Sequence, residues 1–253
     1  FTQVPSCEYF PFEAVQTNIL GPENIVRAIR EHNLPVDTVV GISTDKACKP
    51  VNVMGMTKAI QERIFVQANM ECKNTRFICV RYGNVLASRG SVIPLFHEQI
   101  RSGGPVTITT TDMTRFLLSL DQAVDTIFEA VRHANRGETY IPGVPSAKVT
   151  DIAKALIGDK PIKTVITGIR PGEKVHEILV SEEEGHRTIS RGNYYVIRPI
   201  LPELVFEELK GSPIGHEYSS ADNLMNEWDL KAQLKKYGLL LEQQTMQEGE
   251  LLR

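Results

Sequence analysis

The stretch VDTVVGISTDK, residues 36–46, runs an apolar, β-branched segment straight into a hydroxyl, a carboxylate and an amine. Val36 to Ser43 is short and rich in β-branched side chains, so it reads as a buried strand. Pro50 interrupts the chain, and residues 54–70 then form a helix that ends near the polar stretch 71–75. Arg76 to Tyr82 (RFICVRY) reads as a second buried strand. Strand, helix and strand in that order make a crossover unit, which requires a parallel sheet. Ligands of such sheets sit beyond the carboxyl ends of the strands. The topology therefore brings 43–46 and 82–85 to one sheet edge.

Working outward, Val15, Ile19, Ile25, Val26 and Ile29 recur at near-helical spacing and predict an amphipathic helix over 13–32. Downstream, a helix is expected at 91–102, a break at Gly103-Gly104-Pro105 and a short strand at 106–109. A helix follows from Asp121 to His133, with Asp121 as its cap. Thr139 to Pro142 reads as a strand and 150–157 as a helix. From about 185 the pattern weakens, through Tyr194-Tyr195-Val196-Ile197 and the prolines at 199, 202 and 213. No internal repeat is visible.

The 253 residues suffice for one large domain, or for one domain with a smaller lobe. With a net charge of -3 the chain has no global attraction to nucleic acid or anionic membrane, so local groups must hold any anionic ligand. The four cysteines form no CxxC pair and no disulfide framework, which fits a reducing, cytosolic compartment. Six histidines without an HExxH pattern give no reason to expect a metal site. No apolar run is long enough to span a bilayer, and no signal peptide is seen. The chain starts at Phe1 and enters a helix almost at once, as if cut from something longer.

Several blocks could carry chemistry. Thr44-Asp45-Lys46 places three proton-handling groups at a strand exit, although a capping Asp and a solvated Lys would look the same. On the next helix Met54 and Lys58 share a face. If that face meets the strand end, Lys46 and Lys58 share a site, and like charges depress one another's pKa toward that of a usable base. Otherwise Met54 is core and Lys58 surface. Arg81-Tyr82-Gly83-Asn84-Val85 offers an amide that both donates and accepts, beside a glycine that permits close approach. Arg115, in Thr114-Arg115-Phe116, has the fork geometry that matches phosphate oxygens. So does Arg170, in Arg170-Pro171-Gly172-Glu173-Lys174, where Glu173 could take ribose hydroxyls. Singly, each arginine is as readily a surface salt bridge.

Taken together and in order, these blocks resemble the extended short-chain dehydrogenase/reductase superfamily. Within it they are similar to the inverting UDP-N-acetylglucosamine 4,6-dehydratases of capsular polysaccharide and flagellin glycosylation. The matching stretches are Gln3 to Pro11, Thr17 to Gly21, Ser43 to Ala47, Asn52 to Lys58, Arg81 to Val85, Met113 to Phe116 and Arg170 to Lys174. The tail from Thr188 to Tyr195 resembles the extra C-terminal segment of the capsular enzymes.

The resemblance implies an α/β, Rossmann-like doubly wound parallel sheet whose N-terminal strands are missing from this chain, with a smaller α/β substrate-binding lobe. Boundaries are expected at 1–105 for the later part of the dinucleotide-binding domain, 106–185 for the interleaved lobe and 186–253 for a C-terminal extension. The implied reaction is NADP-dependent (NAD being the alternative). It oxidises C4 of a UDP-sugar, eliminates water across C5 and C6, and reduces C6 with inversion at C5. Lys46 would be the C5 base, Asp45 the acid for the C6 hydroxyl, and Thr44 a partner of the C4 oxygen. Ser43, Lys58, Tyr82 and Val85 are expected at the cofactor. Asn84, Val92, Pro94, Arg115, Arg170 and Glu173 are expected at the UDP-sugar, and no metal is expected. A homo-oligomer in the cytoplasm, without nucleic-acid partners, completes the expectation.

Two departures qualify it. The superfamily pattern YxxxK has Met54 in place of tyrosine, and a thioether moves no proton. That weighs against a UDP-sugar 4-epimerase, the closest alternative, and shifts proton transfer onto Asp45 and Lys46. The glycine-rich phosphate loop of the fold is also absent from the sequence. A non-catalytic nucleotide-sugar-binding piece is the reading this second departure favours.

Overall fold

The structure is a computed structural model that describes residues 3–88, 91–169, 172–205 and 211–241. Two short helices open it, α1 (Val4–Tyr9) and α2 (Pro11–Val15), each with proline in the first turn, where a missing N–H costs nothing. A π-helical turn (Gln16–Leu20) leads into α3 (Gly21–Glu31). The one helix expected over 13–32 is thus a helical path with a π turn inside it, and the turn rotates the apolar face. Val26 and Ile29 are buried while Ile25 is exposed.

Strand β1 (Thr38–Thr44) runs into a single 3₁₀ turn, Asp45–Ala47. Helix α4 (Val53–Glu71) starts at Asn52, whose side chain accepts from the Gly55 N–H at 2.8 Å. Strand β2 (Arg76–Tyr82) follows. Then come α5 (Val92–Arg101), β3 (Val106–Ile108), β4 (Thr114–Phe116), α6 (Leu120–His133), β5 (Thr139–Pro142), β6 (Ser146–Lys148), α7 (Val149–Ile157) and β7 (Thr164–Ile166). The remainder adds β8 (Ile178–Val180), α8 (Glu182–Gly185), β9 (Thr188–Arg191), β10 (Tyr194–Ile197), β11 (Tyr218–Ser219) and α9 (Glu227–Lys236). Asp121 does not cap α6, because Leu120 is already helical. It sits in the first turn, where a carboxylate still complements the helix dipole.

The chain folds into two compact units. The first comprises Phe1–Gly83, Asp121–Gly143 and Ile178–Ser219, and the second Asn84–Leu120, Val144–Glu177 and Ser220–Arg253. Among the described residues the first unit's main sheet has the order β1-β2-β5-β10-β9. The first three strands are parallel, with Thr44 opposite Tyr82, so both strand ends reach one edge. Strands β10 and β9 add an antiparallel hairpin, which makes the sheet mixed. Alternate residues of β2 face opposite layers. Phe77 and Cys79 pack with Val26, Ile29 and Phe65 of α3 and α4, while Ile78 and Val80 pack with Ala130 and Ala134 of α6 and its following turn. This is the doubly wound α/β architecture expected from the sequence, with helices on both faces. Gly41 makes it possible: a Cβ there would lie 2.5 Å from the Phe65 ring, so only glycine lets α4 seat on β1.

In the second unit β3 pairs with β7 in parallel and β4 with β6 antiparallel. Ile93, Phe96, Ile108, Ile152 and Leu156 form its core together with Leu230 and Leu234 of α9. The stretch beyond 185 therefore supplies sheet strands to the first unit and a core helix to the second. Among the described residues no helix is long and apolar enough to cross a membrane.

Candidate active site

In the first unit the end of β1 and its 3₁₀ turn hold three side chains in one hydrogen-bonded array. The Thr44 hydroxyl donates to Asp45 Oδ1 at 2.6 Å. Lys46 Nζ donates to both Asp45 oxygens, at 3.1 and 3.2 Å. The Asp45 side chain is fully buried and that of Lys46 is 19% exposed, so the ammonium is the open end of the array. The backbone is held as tightly. Thr44 Oγ1 accepts from the Lys46 N–H at 3.4 Å, and a Cβ on Gly55 would lie 2.1 Å from the Lys46 carbonyl oxygen. The first turn of α4 thus rests directly on the turn that carries Asp45 and Lys46.

Lys58, one turn further along α4, reaches back to the strand. Its Nζ donates to the Ile42 carbonyl at 3.1 Å and to Gln61 Oε1 at 2.9 Å. Burial lowers its pKa, against the opposing pull of Cys79 and Glu62. Burial is the largest cause of that shift. Met54 is buried against Cys7 and Ala14, beside Val4 and Val53, and makes an apolar contact between α4 and the first two helices. Ser43 is also buried, and its hydroxyl is given to Glu62 Oε1 at 2.5 Å, beneath α4. Tyr82 ends β2 half-buried, and that burial raises its phenol pKa.

In the second unit Asn84 is exposed, and Val85 bridges to Leu118. Val92 and Pro94 lie half-buried in the first turn of α5. Arg115 donates to the carbonyls of Thr114 and Val175, at 2.7 and 3.2 Å, and pairs with Glu177 at 3.4 Å. Glu173 keeps one buried carboxylate oxygen without a hydrogen-bond partner among the described residues. Such an atom is costly to bury unless something donates to it. Arg170 lies outside the described residues. Sequence reasoning missed the buried hydroxyls of Ser91 and Thr110, which are also without partners among the described residues. It missed Asn18 as well, a buried amide that donates to Thr57 Oγ1 at 3.0 Å and ties the Thr17–Gly21 block to α4.

The sheet, its parallel crossover and the loops at its carboxyl edge define a Rossmann-like protein of the short-chain dehydrogenase/reductase type. Residues 1–199 match the polysaccharide biosynthesis protein family, and the chain belongs to that family. It is 42% identical over 234 residues to a UDP-N-acetylglucosamine 4,6-dehydratase (inverting) of Campylobacter jejuni, covering 87% of this chain and 69% of the relative. It is 46% identical over 200 residues to a UDP-glucose 4-epimerase of Rickettsia canadensis, covering 77% and 58%. The solved structure of Pen from Bacillus thuringiensis superposes with a TM-score of 0.84 at 33% identity, over 95% of this chain and 74% of that one. The chain spans between 58% and 69% of the length of the curated relatives it matches.

Proposed function

We propose that the chain carries the proton-transfer site of a UDP-N-acetylglucosamine 4,6-dehydratase that inverts C5, acting in the cytoplasm to supply surface polysaccharide or glycan synthesis. The observation that carries this reading is the Thr44–Asp45–Lys46 array. Elimination of water needs a base at C5 and an acid at the C6 hydroxyl. Moving one proton along the Lys46–Asp45 hydrogen bond turns the ammonium and carboxylate into an amine and a carboxylic acid, with no change in net charge. Lys46 then takes the C5 proton and Asp45 gives its proton to the departing hydroxyl, which restores the ion pair. Thr44 hydrogen-bonds the C4 oxygen.

NADP, or NAD in its place, supplies acceptance of hydride from C4 and its return to C6 when bound. The residues present fit its nicotinamide end. Lys58, a half-buried amine at the strand edge, would meet the nicotinamide ribose, Ser43 would support that edge, and Tyr82 and Val85 would hold the ring. Asn84 would meet the UDP-sugar near its diphosphate, and Val92 and Pro94 would face the uracil. Arg115, Arg170 and Glu173 hold diphosphate and ribose, with the unpartnered oxygen of Glu173 suited to a ribose hydroxyl.

The relatives named as 4-epimerases favour a second reading, in which C4 is oxidised and reduced without loss of water. Met54 weighs against it. The side chain at the tyrosine position is packed among apolar groups and has no proton to exchange. Mass spectrometry of the product from UDP-N-acetylglucosamine separates the two. A dehydratase product is lighter by one water, whereas a product isobaric with the substrate supports epimerisation.

A further inference from the structure

Thr44 to Lys46 carry the proposed chemistry, and the residues flanking the Thr44–Ala47 run, Ser43 and Cys48, are both tied to one distant carboxylate. At the leading end, Ser43 donates to Glu62 Oε1. Glu62 takes a two-pronged pair of bonds from Arg81, at 3.0 and 2.6 Å. Arg81 is 2% exposed and makes a second such pair with Glu184, at 2.7 and 3.0 Å, while also donating to the Leu179 carbonyl at 2.9 Å. At the trailing end, the Cys48 thiol donates to Glu184 Oε2 at 3.7 Å. Glu184 is itself fixed by the capping box of α8: Ser181 N–H donates to its Oε2 at 3.1 Å, and its own N–H donates to Ser181 Oγ at 3.2 Å. Nearby, Lys49 pairs with Glu217 at 2.5 Å, a second link from this loop to the segment after residue 177.

We infer that Glu184 is a positioning residue: acting through Arg81 and Glu62 on Ser43, and directly on Cys48, it staples both ends of the Thr44–Ala47 turn. The inference rests on the proposed function for its catalytic meaning, although the staple itself is a matter of geometry. A fully buried guanidinium between two carboxylates is fixed in place, since breaking either pair leaves a buried charge uncompensated. Catalytic groups must be held to within a fraction of an ångström, and rigid supporting bonds are how a fold does so. The segment Ile178–Ser219 thereby gains a role beyond adding strands to the sheet.

Glu184→Gln tests this in two ways. In the complete chain, amide hydrogen exchange at Asp45, Lys46 and Ala47 is expected to quicken by about tenfold or more, while Ile78 and Val80 in the middle of β2 stay protected. In a complete enzyme, kcat for dehydration is expected to fall by about tenfold or more with KM for the UDP-sugar changed by less than about threefold. A loss of fold alone would release β2 along with the turn. Unchanged exchange in the turn of a folded variant overturns the inference, and so does a rise in KM at constant kcat. Should Glu184→Gln not fold, Ser43→Ala cuts the leading tie without touching a charge, and the same exchange pattern is expected of it; unchanged exchange there also overturns the inference. If the wild-type enzyme releases no water, the proposed reaction falls, and the exchange data still decide the staple.

Discussion

Single residues carry much of this account, and Gly55 is the sharpest case. Any side chain there meets the Lys46 carbonyl oxygen, which belongs to the backbone and cannot swing aside. Gly55→Ala is expected to displace the turn and cut dehydratase activity by at least tenfold, while costing about 1–3 kcal/mol of stability from overpacking. Activity and thermal melts of the same variant check both parts. Met54→Leu is the opposite test: a packing role predicts a loss below about 1.5 kcal/mol and activity close to wild type. The Thr44-Asp45-Lys46 cluster was legible in the sequence because its three groups are consecutive at a strand end. Lys58 was only half legible. Its place on the helix face, with Glu62 one turn on, could be read, but its burial beside Cys79 and its bond to the Ile42 carbonyl arise from strands folded against it. The staple could not be read at all, since Arg81 and Glu184 are 103 residues apart and nothing local says that Glu62 turns inward rather than to solvent.

At the scale of elements, periodicity and β-branching read most of the chain. Arg76–Tyr82 and Thr139–Pro142 are strands with the limits expected of them. The hairpin β9–β10 was not read, although Gly192-Asn193 between two β-branched and aromatic runs is a recognised hairpin turn, and Gly192 takes the positive φ that such a turn needs. Aromatic packing between α4 and β2 contributes to the stability of the first unit. The Phe65 and Phe77 rings stack with centroids 6.0 Å apart, and Phe77→Ala is expected to cost about 3–5 kcal/mol in denaturant unfolding. The link from α8 to β2 is sensitive to pH. Burial alone would raise the Glu184 pKa, but Arg81 and the hydrogen bonds around it bring the value down to about 2 from an ordinary 4.5. A depressed carboxylate contributes its stability fully above the unfolded value and loses it as pH falls toward the folded one. Unfolding free energy is therefore expected to drop between about pH 4.5 and 2, and Glu184→Gln to flatten that slope. An equal slope in the variant would assign the pH dependence to other groups.

The whole molecule is two interleaved units rather than consecutive blocks. The parallel pairing of β1 with β2 was legible from the crossover around residues 36–82, and an interleaved lobe was expected; which segments return to each unit was not legible, because it depends on which distant segments close each core. Leu230 and Leu234 of α9, for instance, complete the core built around Phe96 and Ile152. The central claim is that Lys46 is the base at C5. The direct measurement follows deuterium uptake at C5 of the UDP-sugar in heavy water, in a complete enzyme with wild-type Lys46 or Lys46→Ala. Uptake by the wild type and its abolition in the variant is the predicted result; uptake by Lys46→Ala at the wild-type rate would contradict the account.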